Sequence, residues 1–75
     1  MRRAGEVVRI AQGLVVVRAP DDEHPAVGAE LIDESLEPVG RAIDAFGPVE
    51  RPYVAVDPAP DRSPATLLGA AVYER

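Results

Sequence analysis

Cysteine, lysine and tryptophan are absent from this 75-residue chain, and its only aromatic residues are Phe46, Tyr53 and Tyr73. Without cysteine there can be no disulfide, no thiolate metal site and no thiol nucleophile. That absence fits a reducing cytoplasm. Without lysine, all eight basic residues are arginine, set against thirteen acids for a net charge of −5 and a pI near 4.6. Clustered cations drive most non-specific affinity for nucleic acid, so this balance excludes a typical free-standing nucleic-acid binder. Arg2, Arg3 and Arg9 make at most a local basic spot. Acid excess without lysine fits either a salt-adapted archaeon or a GC-rich genome.

Long apolar runs are missing as well. The longest in the first half is Leu14 to Val17, far short of the ~20 residues that span a bilayer. Arg2 and Arg3 are followed by Val7-Val8-Arg9-Ile10, a broken stretch unlike the core of a secretory signal. The expectation is a soluble, cytoplasmic protein without a membrane partner. Residues 1–75 make one small domain. At this size about 60% of the unfolded surface is buried, so a partner subunit is a natural further source of stability.

What is present is punctuation. Eight prolines and six glycines divide the chain into short segments without helical periodicity. Glu6 to Ala11 and Leu14 to Ala19 are rich in β-branched residues and flank Gln12-Gly13, a hairpin signal. Pro20 to Val27 reads as a polar loop, Glu30 to Asp33 as a third strand and Glu34 to Pro38 as a turn. Val39 to Phe46 reads as a fourth strand with unclean alternation, since neither of its faces is wholly apolar. Gly47 to Arg51 is a turn, and Pro52 to Val56 a fifth strand with Val54 and Val56 on one face and Tyr53 and Ala55 on the other. Asp57 to Pro64 reads as a solvated loop without helix potential, and Leu67 to Tyr73 as a sixth apolar stretch, although Leu67-Leu68 could begin a helical turn. No internal repeat is convincing. Six short strands at this spacing predict an all-β fold, a small closed six-stranded β-barrel, with Gly28, Gly40 and Gly69 suited to its bends or bulges.

Catalytic chemistry is hard to assemble from these residues. The single histidine, His24, follows Asp21-Asp22-Glu23, but consecutive side chains diverge and a metal site would need distant ligands. The segment reads as a solvated loop. Asp44 lies between Ile43 and Ala45, where a carboxylate either acts as a base or, more commonly, caps a turn or pairs with an arginine such as Arg41. Ser35, Ser63 and Thr66 have no histidine near them in sequence, and the glycines match no phosphate-binding loop. The expectation is a protein that is not an enzyme and takes no cofactor, metal or small-molecule substrate.

The distinctive stretch is Phe46 to Tyr53, FGPVERPY, which holds two of the three aromatics. Pro48 and Pro52 fix φ and stiffen the connection, so little entropy is lost when it docks. Aromatics and arginine are the residue types that carry interface energy. Phe46 by itself reads as a plug for the barrel end, whereas Pro48, Val49 and Pro52 read as exposed by the turn.

At this stretch the sequence resembles a known family. Val39-Gly40-Arg41-Ala42-Ile43-Asp44-Ala45-Phe46-Gly47-Pro48-Val49, followed by Pro52-Tyr53-Val54-Ala55-Val56, is similar to the signature of the Gar subunit of H/ACA ribonucleoproteins. Gly5, Leu14 to Arg18, Gly28, Asp33, Leu36, Gly69 and Tyr73 extend the match over nearly the whole chain. The resemblance implies a barrel of the translation-factor type that docks onto the catalytic domain of a dyskerin-type pseudouridine synthase. It implies only indirect contact with guide and substrate RNA. It implies help with substrate loading and release through the synthase's mobile thumb loop, in rRNA pseudouridylation and ribosome biogenesis. It also makes Phe46, Gly47, Pro48, Val49, Pro52 and Tyr53 the candidates for the partner interface or its support. The glycine-arginine-rich tails of eukaryotic members have no counterpart among these residues, which favours the archaeal form. Arg41-Ala42 departs from a more hydrophobic pair.

Two other modules compete. Gly28 to Asp33 and Val39 to Asp44 also resemble the PRC-barrel pattern of ribosome-maturation proteins, which leaves Phe-Gly-Pro-Val and Pro-Tyr unexplained. An oligonucleotide-binding barrel acting directly on RNA would want a basic groove and more stacking aromatics than this chain has.

Overall fold

Valine or isoleucine stands in every strand, and the chain closes the strands into a ring. The computed structural model describes residues 2–75. Its strands are β1 (Arg2–Ala11), β2 (Leu14–Arg18), β3 (Glu30–Ile32), β4 (Pro38–Phe46), β5 (Tyr53–Pro58) and β6 (Ala71–Glu74). They pair, antiparallel throughout, in the closed order β1-β2-β5-β4-β3-β6. Closure leaves no unpaired edge to recruit another chain. The expected all-β, six-stranded closed barrel is therefore the fold.

The core is aliphatic and mostly valine. Val7, Val15, Val17, Leu31, Val39, Val54, Val56 and Val72 fill the interior with Ala4 and Ala42. Val54 and Val56 point inward as their alternation predicts, while Ala55 pairs with Val16 outside that cluster. A 3-10 turn, Pro64–Leu67, lies against β1 and β2 and adds Leu67 to the core.

Several boundaries differ from the sequence reading. β1 begins at Arg2 rather than Glu6, and β5 runs on to Pro58. The sixth strand begins at Ala71, because Pro64 opens the 3-10 turn and takes Leu67 out of the strand. The unclean alternation of β4 comes from two bulges. Val39 is the extra residue opposite β3, and Ile43 is the extra residue opposite β5. Each shifts the inward face by one position.

β1 repeats this arrangement, with extra residues at Ala4 and Val8. Gly5 and Gly40 follow the first bulge of each strand. A Cβ on Gly5 would collide with the backbone carbonyl of Arg18, and one on Gly40 with that of Asp57. The correspondence continues through the hydrogen bonds. Gly28 and Ala29 bracket Ala42 (N to Ala42 O 2.7 Å; Ala42 N to Ala29 O 2.9 Å), as Gly69 and Ala70 bracket Val7 at 2.9 Å each. Pairing partners Val16 and Ala55 are equivalent to each other, as are Ile32 and Tyr73. The barrel is thus two β-β-loop-β halves related by a pseudo-twofold axis, although the sequence shows no repeat.

The halves differ most at their hairpins. Two residues, Gln12 and Gly13, separate Ala11 from Leu14, whereas six separate the corresponding pair, Phe46 and Tyr53. The long turn is the FGPVERPY segment.

Candidate protein-docking site

Each end of the long turn is set by strand pairing. Phe46 closes β4 and Tyr53 opens β5, directly opposite one another. Their rings stack at 5.5 Å between centroids and 19° between planes. Tyr53 also faces Arg18 on β2. The Arg18 guanidinium carbon lies 4.5 Å from the Tyr53 ring centroid, and Nη1 donates to the phenol oxygen at 2.7 Å. The result is a shelf of Phe46, Tyr53 and Arg18 across three adjacent strands, held by stacking and cation–π attraction. The Arg18 Nε is buried with no partner, and among the described residues the guanidinium is held by Tyr53 and by no carboxylate.

The turn itself is clamped to the end of β2. The N–H of Ala19 donates to Pro52 O at 3.0 Å, and Arg51 Nε donates to Ala19 O at 3.0 Å. Both backbone groups of Ala19 are thereby satisfied by the turn. Arg51 N–H closes back on Pro48 O at 3.3 Å. Gly47 has φ +90°, a left-handed conformation that favours glycine, and a Cβ there would press into the Tyr53 ring at 2.9 Å. Two prolines and three hydrogen bonds leave the segment little freedom to lose on binding.

Phe46 is 40% exposed and Val49 83% exposed. The expectation that Phe46 plugs the barrel end is corrected: after the Ile43 bulge its side chain falls outside the core. Pro52 is corrected in the opposite sense. It is buried rather than exposed and supports the turn from beneath. Pro48 and Val49 are exposed as read.

A shallow cleft of about 220 Å³ runs beside the turn. Phe46, Gly47, Pro48, Val49 and Pro52 line it with Ala45, while Asp22 and His24 come from the loop after β2. Tyr53 does not line the cleft; it backs Phe46. Five of the six candidate residues are thus gathered in one concavity and the sixth supports them. Sequence reading did not place Arg18, Ala19, Asp22 or His24 here. They lie more than twenty residues from the turn, and only the β2–β5 pairing brings them close.

The other singled-out groups are ordinary surface features. Asp44 is exposed and accepts the N–H of Ala45 at 2.9 Å, while Arg41 stands opposite Glu30 and Asp57. Asp21 accepts the N–H of Glu23 at 2.9 Å, and His24 Nδ1 lies 2.9 Å from Pro25 O. Among the described residues, no three His, Cys, Asp or Glu side chains converge as metal ligands would. No helix in the described residues is long and apolar enough to cross a membrane.

The Asp33 carboxyl is displaced in pKa. Desolvation pushes it up, but hydrogen bonds from the N–H groups of Glu37 and Ser35 and the Arg62 guanidinium outweigh this and hold it below the usual value. Arg62 reaches Asp33 Oδ2 at 3.0 Å and Pro38 O at 2.9 Å, tying the loop after β5 to the β3–β4 turn. That clasp is structural and lies outside the cleft.

No protein-family model matches this chain, and no curated protein matches it either.

Proposed function

We propose that this chain is a non-catalytic subunit of the H/ACA ribonucleoprotein, of the Gar type, and that it binds a dyskerin-type pseudouridine synthase through the long β4–β5 turn. The observation that carries the reading is the exposed, rigid turn with stacked aromatics, the main departure from a two-fold symmetric barrel. A connection needed only to join two strands could be as short as Gln12-Gly13. Four additional residues, stiffened at both ends, add exposed surface beyond what joining the strands requires. The resemblance of FGPVERPY and its flanking strands to the Gar signature names the partner, and the six-stranded barrel agrees with the architecture that resemblance implies. An acidic chain working in the cytoplasm beside RNA fits indirect participation, with guide and substrate RNA held by other subunits.

The mechanism is a population shift. The barrel binds more tightly to the synthase with its thumb loop retracted and so favours the state that loads and releases substrate RNA. Steady-state pseudouridylation by a guide-loaded synthase, measured with and without this chain, tests the proposal. The multiple-turnover rate rises on addition while the single-turnover chemical step changes little. An unchanged multiple-turnover rate contradicts it.

A further inference from the structure

We infer that the cleft beside the β4–β5 turn receives an apolar side chain carried on a cationic, lysine- or arginine-bearing segment of the partner. This deepens the proposed function and rests on it. At about 220 Å³ the cleft falls below the range of about 300–1,000 Å³ usual for small-molecule sites. It is also open to the surface along Val49 and Phe46, the residues a partner side chain would touch.

Charge selects the occupant. The segments that wall the cleft, 21–24 and 45–52, carry four carboxylates, Asp21, Asp22, Glu23 and Glu50, against one guanidinium, Arg51. Arg51 is already engaged through Nε with the Ala19 carbonyl. Asp22 lines the cleft itself, together with Pro48 and Val49. None of the four carboxylates is in an ion pair, since the salt bridges among the described residues join Arg62 to Asp33 and Arg75 to Glu30. An apolar floor with the unpaired Asp22 carboxylate in its lining, and three more carboxylates on the adjoining segments, repels an RNA backbone or an acidic peptide and attracts a basic one. Such rim charges act mainly on the rate of association and its salt dependence.

The test is the binding kinetics of the whole chain to the immobilised dyskerin-type synthase, across the salt range in which circular dichroism shows the barrel folded. The rim variant Asp22→Asn/Glu23→Gln/Glu50→Gln is compared with Glu6→Gln/Glu34→Gln/Asp61→Asn, which removes the same charge elsewhere on the exposed surface. The rim variant associates about threefold to tenfold more slowly at low salt, with a flatter salt dependence, while the control stays within about twofold of the parent chain. Val49→Ser speeds dissociation and leaves association nearly unchanged. If the parent chain binds but the rim variant and the control slow equally, or neither slows, this inference is overturned and the proposed function stands. If the parent chain does not bind the synthase, the proposed function itself fails.

Discussion

Single residues in this barrel divide sharply into those that hold it and those left on its surface. Gly40 belongs to the first group because the Asp57 carbonyl occupies the space of its missing side chain. Gly40→Ala forces the β4–β5 pair apart and lowers stability by about 2–3 kcal/mol, read by thermal or denaturant melting. A cost below ~0.5 kcal/mol would contradict the close approach. Phe46 belongs to the second group. Half exposed and outside the core, it tolerates Phe46→Ala at about 1 kcal/mol or less, whereas Leu31→Ala in the barrel centre costs about 2–5 kcal/mol. Equal losses would return Phe46 to the core.

Asp33 makes stability depend on pH in a defined direction. Folding lowers its pKa, so the folded state favours the ionised form. Its contribution is fully present above the unfolded value of about 3.9 and is lost as pH falls through the lower folded value. Asp33→Asn is therefore less stable than the parent at pH 6, and the gap narrows as both are taken to about pH 2. Melting curves of both proteins across that window decide it. A gap of constant size would show that the Arg62 clasp works through shape and not through charge.

At the scale of elements, the bulges decide what could be read from the sequence. The β1–β2 hairpin was legible because Gln12-Gly13 separates two β-branched runs, and the shared face of Val54 and Val56, which turns out to be the interior, was legible because β5 alternates without interruption. In β4 the extra residues at Val39 and Ile43 break the period of two, so a pattern count cannot say which face Phe46 joins. The same physics hides the internal two-fold relation, which lives in register and backbone hydrogen bonds rather than in residue identity. Pro48 and Val49 were legible as an exposed, stiffened turn, whereas Phe46 and Pro52 were each placed on the wrong side of the surface, and Arg18, Ala19, Asp22 and His24 reach the turn only through closure of the barrel. The asymmetry between the hairpins supplies its own prediction. Replacing Gly47–Pro52 by Gln-Gly, the turn of the other half, leaves a folded barrel with a modestly lower melting temperature, because Ala19 N–H loses Pro52 O. Binding to the synthase is abolished in that variant. Retained binding would move the interface elsewhere on the molecule.

For the whole molecule, closure and charge act together. A ring of six strands has no edge to offer, and a net charge of −5 discourages contact with RNA, so the proposed docking falls to side chains on the surface. The long turn is where the barrel presents stacked aromatics, an exposed valine and an exposed proline in a clamped backbone. The most direct measurement is size-exclusion chromatography of this chain with a dyskerin-type pseudouridine synthase, without RNA, at low and at molar salt. Co-elution as a stoichiometric complex at both salts, lost in the Gln-Gly turn replacement, is the predicted result. Separate elution of two folded proteins at both salts would contradict the assignment.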